Sequence, residues 1–396
     1  MHCDLLVVGG QLAGLSAAIA AASAGADVIL CDREPELGER STISADPDLA
    51  ALNTIAKALP NLRIMTDTVC NGWFADNWLP LIQGKTLYRC RARQVIFATG
   101  QIEQPAVFRG NDLPGIIAGG TAWRLIAHYG VRPGRRAVVY AGTPEGLNVA
   151  SMLDLAGTKV SAIILPRPLS GDESEIYRLR SKGIEIVLGQ IDEARGRGHL
   201  QKVVVCGRTF DCDLLVVSVG SAPAWQLPAH SGAQLTYDDL NRQLSLASKR
   251  DDVRIAGSVA GHTSSAAAKA DGCRAGTDAA IALGYSVAAY SSVAPDPLAH
   301  CDLPLNPHPK GRDFVDFDED LQIKDIINSV REGYRELELV KRFSTVGMGP
   351  SQGRHSALTT ARIVAKATDR TVSEVGVTTA RPPFGPELLG VLAGHI

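Results

Sequence analysis

A glycine-rich turn between two apolar strands, met within the first residues, constrains this chain more than any other feature. Asp4-Leu5-Leu6-Val7-Val8 is a continuous apolar run, the pattern of a central parallel strand covered on both faces. Gly9-Gly10-Gln11-Leu12-Ala13-Gly14 follows, then an alanine-rich stretch over 15–24 that reads as a helix closed by Gly25. Asp27-Val28-Ile29-Leu30-Cys31 is a second strand, ending at Asp32. An acid about twenty positions beyond the first glycine suits a carboxylate that meets an adenosine ribose hydroxyl. Gly9 permits the tight turn and Gly14 permits close helix–strand packing, while the helix N-terminus offers free N–H groups to a diphosphate. One position departs from the pattern. Gln11 stands where a middle glycine lets the backbone come closest, so its side chain either displaces the diphosphate or bonds to it. The competing reading is a vestigial unit that binds nothing.

Three later strands carry the same grammar. Arg93 to Gly100 ends Ala98-Thr99-Gly100, Cys212 to Gly220 is followed by Ser221-Ala222-Pro223, and Val253 to Gly261 leads into a small-residue helix over 266–280. With the first unit they resemble the flavoproteins built from two dinucleotide-binding domains, over roughly residues 4–285. In such proteins the last strand ends Gly-Asp, and the acid holds the ribityl chain of FAD. Here the position is Ser258. Gln11 and Ser258 together weaken the case for a standard catalytic FAD, and leave NAD, ATP or another adenine nucleotide open.

Between these segments, Gly134 to Gly142 opens a second strand–turn–helix unit, with a helix over 147–155 and a strand from Lys159 to Leu165. Thr143 and Pro144 replace its glycines, and no acid follows at Pro166-Arg167. The expectation is a domain that packs and does not bind NAD. The fold class expected is therefore α/β, with two Rossmann-like, disulfide-reductase-like domains, one inserted in the other. The first spans 1–125 and 211–290, the inserted one 126–210, and a small helical C-terminal module 305–396.

Composition excludes several classes. A net charge of −2 over 396 residues, with 45% apolar and 21% charged residues, gives no basic surplus for nucleic acid. No apolar run is long enough for a membrane span, and no leader pattern precedes the first strand. The eight cysteines include no C-x-x-C pair. Cys31, Cys90 and Cys206 lie in apolar, strand-like context, where a thiol behaves as a small buried hydrophobe. A reduced, cytoplasmic protein without a disulfide frame or zinc site is expected.

The C-terminal third begins with a Pro-rich linker, 304–311. An amphipathic helix over 320–342, broken near Gly333, and a second helix over 357–368 follow. The Gly-rich loop Thr345 to Ser356 lies between them, and Thr378 to Pro386 is a rigid tail. Leu113-Pro114-Gly115, the run Tyr129 to Arg136, Lys341-Arg342 through Gly353, and Thr379 to Pro383 resemble the alpha subunit of heterotetrameric sarcosine oxidase. They also resemble the related alpha subunits of proline, hydroxyproline and opine dehydrogenases and of hydrogen cyanide synthase.

That resemblance implies one subunit of a flavin-dependent amine or amino-acid oxidoreductase. A flavoprotein beta subunit would oxidise the substrate at its own FAD, and an FMN would lie at the subunit interface. The resemblance leaves room for a small ferredoxin-like subunit. It implies no catalytic acid or base on this chain. Some relatives hold a [2Fe-2S] cluster near this loop. Ser351 and Ser356 stand at the cysteine places, and serine is a poor substitute for thiolate, so no cluster and no other metal is expected. The candidate nucleotide contacts are Gly9, Gly10, Gln11, Gly14, Asp32, Thr99, Gly100 and Ser258. The candidate FMN-side contacts are Lys341, Met348, Gln352, Gly353, Arg354 and Arg381. A non-catalytic scaffold and a stand-alone NAD(P)H-dependent FAD reductase are the competing readings.

Overall fold

The structure, a computed structural model, describes residues 1–38, 47–169, 172–239, 242–291, 294–296 and 303–393. In chain order it begins with β1 (His2–Val8), α1 (Leu12–Ser23), β2 (Val28–Cys31), α2 (Pro47–Ala58), β3 (Leu62–Met65), β4 (Thr68–Cys70), β5 (Trp78–Gln83) and β6 (Thr86–Phe97). These strands form a sheet in the order β3-β2-β1-β6-β5-β4. β1, β2 and β3 run parallel, with Val8 beside Cys31 and Cys31 beside Met65. The long β6 serves two neighbours. Its second half parallels β1, and its first half pairs antiparallel with β5. Leu5, Leu6, Val7, Val28 and Leu30 are buried, because helices cover one face and the antiparallel excursion the other.

The chain leaves through β7 (Gln101–Glu103), β8 (Ile116–Ala118), α3 (Gly119–Ala127), β9 (Arg136–Ala141), α4 (Pro144–Leu155), β10 (Lys159–Leu165), α5 (Glu173–Ser181) and β11 (Glu185–Leu188). The three-stranded β12 (Ile191–Gly196), β13 (Leu200–Val205) and β14 (Arg208–Asp211) follow, then β15 (Leu214–Ser218) and β16 (Ser221–Pro223). A second parallel sheet has the order β11-β10-β9-β15-β8. Here the structure corrects the sequence reading. The strands at 116–118 and 214–218, assigned to the first domain, pair with each other, and 214–218 also pairs with β9. Apolar strands of either unit look alike in sequence, and only the register of Leu215 against Ile116 and Val138 distinguishes them. β7 and β16 form a short antiparallel ribbon joining the two sheets.

After α6 (Gln226–His230) and the hairpin β17 (Gln234–Asp238) and β18 (Gln243–Ala247), β19 (Val253–Ile255) returns to the first sheet beside β6. α7 (Ser265–Ala282) then packs across α1. Gly272 and Gly276 make this crossing possible: a Cβ on either would meet the Ala13 or Ala17 carbonyl oxygen at 2.1 or 2.2 Å. The C-terminal module holds β20 (Phe314–Asp316), β21 (Leu321–Gln322), α8 (Ile323–Arg331), α9 (Leu337–Ser344) and α10 (Ala357–Thr368). The expected break between α8 and α9 falls at Gly333, whose φ is +102°. Val315, Ile323, Ile326, Val340, Ala361 and Val364 form its core.

The cysteines also need correcting. Cys206 is exposed at the β13–β14 turn with φ +48°, since the hairpin reverses at Cys206-Gly207. Cys3, Cys31, Cys70 and Cys90 converge in one buried cluster, although the sequence scatters them. Cys301 lies outside the described residues.

This packing can be tested at two places. Gly276→Val would force the α1–α7 crossing apart and cost about 1–3 kcal/mol, against about 0.5 kcal/mol for Ala282→Val on the exposed face of α7, in denaturant unfolding. His230 is held low, at about 4 against an ordinary 6.5, because burial penalises its charged form. The unfolded chain therefore binds the proton more readily, and stability falls as pH drops from about 6.5 to about 4. In His230→Phe that part of the pH dependence of the unfolding midpoint disappears.

Candidate functional site

The strand ends of both sheets open into one cavity of about 1220 Å³, somewhat above the usual range for drug-sized ligands. Gly9, Gln11, Asp32, Thr99, Gly100 and Ser258 all line it. Gly9 has φ +110°, and a Cβ there would strike the Ala98 carbonyl oxygen at 2.3 Å. Gly14 does not line the cavity; it lets α1 close onto the turn, since a Cβ on it would lie 1.8 Å from the Gly9 oxygen. Gly10 also works structurally, donating its N–H to Asp32 Oδ2.

Asp32 Oδ1 accepts the Glu34 N–H at 2.8 Å. Burial pushes the Asp32 carboxyl above the usual carboxylate range, while the Glu34 and Gly10 N–H groups pull the other way. Hydroxyl donors from a ribose would add to that pull and favour the charged form. Gln11 is the N-cap of α1 but makes no side-chain capping bond, so the first N–H groups of the helix remain directed at the cavity. Thr99 Oγ1 donates to the Ala224 oxygen at 3.0 Å, and Gln101 Nε2 to the Ser258 oxygen at 3.2 Å. These bonds hold the ends of β6, β16 and β19 together under the cavity. The residues present thus fit an adenine nucleotide: a glycine cradle, a helix N-terminus facing the cavity and a buried acid at the end of β2.

The FMN-side candidates divide. Arg354 lines this same cavity, with its guanidinium 4.8 Å from the Phe384 ring centre and its Nε bonded to the Ser351 oxygen at 2.9 Å. Burial holds the Arg354 guanidinium below its ordinary value. Phe384 reaches there because the tail is tied to Asn71, whose Oδ1 accepts the Gly385 N–H at 2.7 Å. Gln352 sits behind, clamping the tail: Nε2 donates to the Pro383 oxygen at 2.5 Å, and Oε1 accepts the Arg381 N–H at 3.3 Å. Gly353 is buried, with φ +75°. Lys341, Met348 and Arg381 do not line the cavity; Met348 is 55% exposed, as are Leu339 and Phe343 in large part. The sequence reading set His262 aside, since a lone histidine after a strand end is more often a surface or interface residue than an acid or base; the structure buries it on the cavity wall. A histidine following a strand end is too common a pattern to single it out.

At the loop where some relatives are expected to hold a cluster, Asp316 is the organiser. It is fully buried and accepts bonds from the Asp318, Glu319 and Gly347 N–H groups and from Ser356 Oγ. Asp318 accepts the Ser351 N–H at 2.9 Å. Asp316, Asp318 and His355 place one ligand atom each within 4.8 Å of one another, but hydrogen bonds already engage the Asp316 oxygens. Asp316→Ala removes four bonds to a buried carboxylate, and a loss of about 3 kcal/mol or more in the unfolding of the C-terminal module is expected. Hydrogen exchange over 340–356 would report it.

Geometry of this kind defines a class, an α/β protein whose paired parallel sheets enclose a nucleotide-sized cavity. The pyridine nucleotide-disulphide oxidoreductase family matches residues 3–272, and the chain belongs to that family. The sarcosine oxidase A3 domain matches residues 310–395. The chain is 31% identical to the sarcosine oxidase alpha subunit of Rhizobium meliloti (strain 1021), over 99% of its own length and 42% of that protein. It is 26% identical to the corresponding alpha subunit of Corynebacterium sp. (strain P-1), over 100% and 45%. The chain thus spans less than half the length of these relatives. An opine oxidase subunit of Rhizobium meliloti (strain 1021) is 24% identical over 98% of both chains. Among solved structures, L-proline dehydrogenase from P. horikoshii matches with a TM-score of 0.76 and 20% identity, covering 99% of this chain and 79% of that one. Thioredoxin reductase of T. acidophilum matches at 0.52 and 18%, covering 71% and 97%. Among the described residues, no helix is long and apolar enough to cross a membrane.

Proposed function

We propose that this chain is the nucleotide-binding alpha-type subunit of a hetero-oligomeric, flavin-dependent oxidoreductase acting on a secondary amine or amino acid. The observation that carries the reading is the single cavity in which Gly9, Gln11, Asp32, Thr99, Gly100 and Ser258 converge. The likeness to sarcosine oxidase and opine oxidase subunits along nearly the whole chain supports it.

In this reading the cavity takes the adenosine end of FAD, NAD or ATP. Asp32 holds the ribose, and the α1 N-terminus holds the phosphates. A flavin, when bound, supplies the hydride-accepting chemistry; the residues of this chain bind, orient and shield. Substrate oxidation belongs to a partner flavoprotein subunit. The exposed stretch around Leu339, Phe343 and Met348, with Lys341 beside it, forms part of the wall of an FMN site between subunits. The loop held by Asp316 does its work without an iron–sulfur cluster.

A non-catalytic scaffold is the second reading. It is favoured by Gln11 and Ser258, which both face the cavity where a flavoprotein of this plan has glycine and acid. The stand-alone reductase is disfavoured by Glu145 in the first turn of α4, whose charge opposes a second pyrophosphate at that helix N-terminus.

Two measurements test the proposal. The native complex captured through this chain, denatured and analysed by mass, should release FMN and FAD together with a co-purifying flavoprotein. Recovery of the chain alone with one NAD(P)H-reducible FAD would overturn the subunit reading. In the isolated chain, Asp32→Ala should weaken adenosine-containing ligands by about tenfold or more, the cost of bonds to a charged acceptor.

A further inference from the structure

Arginines border the cavity at its Asp32 end. Arg33 follows Asp32 directly; its side chain is 60% exposed, and its Nε pairs with Glu34 Oε1 at 3.1 Å. Arg124 Nη2 reaches the same Glu34 oxygen at 3.6 Å. The third guanidinium, on Arg354, comes from the C-terminal module and makes no ion pair among the described residues. Its Nε is engaged by the Ser351 oxygen, and it rests against the Phe384 ring. Nη1 and Nη2 have no hydrogen-bond partner among the described residues, and neither is sealed from solvent. A molecule in the cavity can therefore reach both.

The neighbouring charges make an anion the fitting partner. Burial, and then repulsion from the Arg33 guanidinium, hold the Arg354 guanidinium below its ordinary value, while Asp318 pulls the other way. Asp318 already accepts the Ser351 N–H at 2.9 Å. A ligand anion meeting both Arg33 and Arg354 would relieve their repulsion and fill the open donors, and a planar guanidinium suits two oxygens of a phosphate. The place along the ligand follows from Asp32. An acid at the end of the second strand meets a ribose hydroxyl, and an arginine beside it accommodates a phosphate on that ribose. Here the two occur together. Asp32 turns Oδ1 and Oδ2 to the Glu34 and Gly10 N–H groups, which offset part of its charge, and Arg33 is the next residue.

We propose that Arg33 and Arg354 bind a phosphate carried on the adenosine ribose, so that the cavity selects a 2′- or 3′-phosphorylated adenine nucleotide over its counterpart without that phosphate. The inference rests on the nucleotide reading above and narrows its ligand class. Asp32 keeps the other ribose hydroxyl. The loop that carries Arg354 and the tail that carries Phe384 border this end of the cavity, so the C-terminal module takes part in the choice of nucleotide. A phosphate at either ribose position presents the same charged oxygens to the two guanidinium groups.

The test is calorimetric titration of the full chain with 5′-AMP, ADP, 2′,5′-ADP and 3′,5′-ADP, in the wild type, Arg33→Ala, Arg354→Ala and Arg354→Lys, with thermal unfolding of each variant to confirm that it is folded. In the wild type one of the two ribose-phosphorylated probes should bind about tenfold or more tightly than 5′-AMP, as expected for charge-assisted bonds to phosphate. Which of the two it is locates the phosphate. Arg354→Ala should remove most of that preference and change 5′-AMP and ADP by less than about twofold. Arg354→Lys, which keeps the charge, should restore part of it. Arg33→Ala, at an exposed side chain, should reduce the preference about threefold, and it decides the matter if Arg354→Ala does not fold. If 5′-AMP and ADP bind but neither ribose-phosphorylated probe binds better, the inference is refuted and the nucleotide reading stands. An equal loss of ADP and of the ribose-phosphorylated probe in Arg354→Ala also refutes it, because the arginine would then serve the 5′-phosphates. If no probe binds the wild type, the nucleotide reading fails and this inference falls with it.

Discussion

Everything in this protein's first unit depends on how closely α1 can approach its neighbours. Gly14 brings the helix onto the Gly9 turn, Gly257 lets the turn after β19 rest on Ala13, and Gly272 and Gly276 let α7 cross over Ala13 and Ala17. Each of these glycines occupies a place where a methyl group would overlap backbone or side-chain atoms. The small-residue character of both helices, a weak signal in any one window, is therefore a packing requirement. It sets the ends of β1, β6 and β19 in register beneath one helix N-terminus, and it places Asp32 and Ser258 around the cavity.

The same packing explains why the site is a hybrid. The elements inherited from the nucleotide-binding plan are those the fold itself needs: the turn, the crossing and the bonds from Gly10 and Glu34 to Asp32. The positions that differ, Gln11 and Ser258, line the cavity, and Ser258 meets Gln101 through its backbone oxygen, a bond that any residue there could accept. Ligand choice can thus change while the scaffold stays. The C-terminal module follows similar logic. Asp316 organises its loop through hydrogen bonds, and the tail bound to Asn71 carries Phe384 to the cavity edge, where its ring meets Arg354 of that loop. The module is consequently part of the cavity wall as well as an outer surface.

Local pattern made much of this legible. The strand Lys159–Leu165 and the helix Ala357–Thr368 have the bounds that their apolar periodicity gives, and Gly333 breaks the amphipathic stretch where expected. The α/β class followed from alternating strands and helices. What was not legible is long-range. Nothing in Leu214–Ser218 says which sheet it joins, because both sheets offer equally apolar edges. Chain adjacency groups Arg354 with Gln352 and Gly353, yet the Arg354 side chain lines the cavity while that of Gln352 ties the tail. His262 and Asp271 form a pair only because α7 folds back under the turn before it. Burial also cannot be read from an apolar neighbourhood alone, as Cys206 shows by standing at a hairpin tip.

That the cavity beneath α1 is a nucleotide site is the statement on which the functional reading stands, and a crystal structure of the chain with ADP puts it to the sharpest test. The ribose is expected within hydrogen-bond distance of Asp32, with the diphosphate at the N-terminus of α1. Density for ADP only elsewhere, or an empty cavity at a saturating concentration, would refute it.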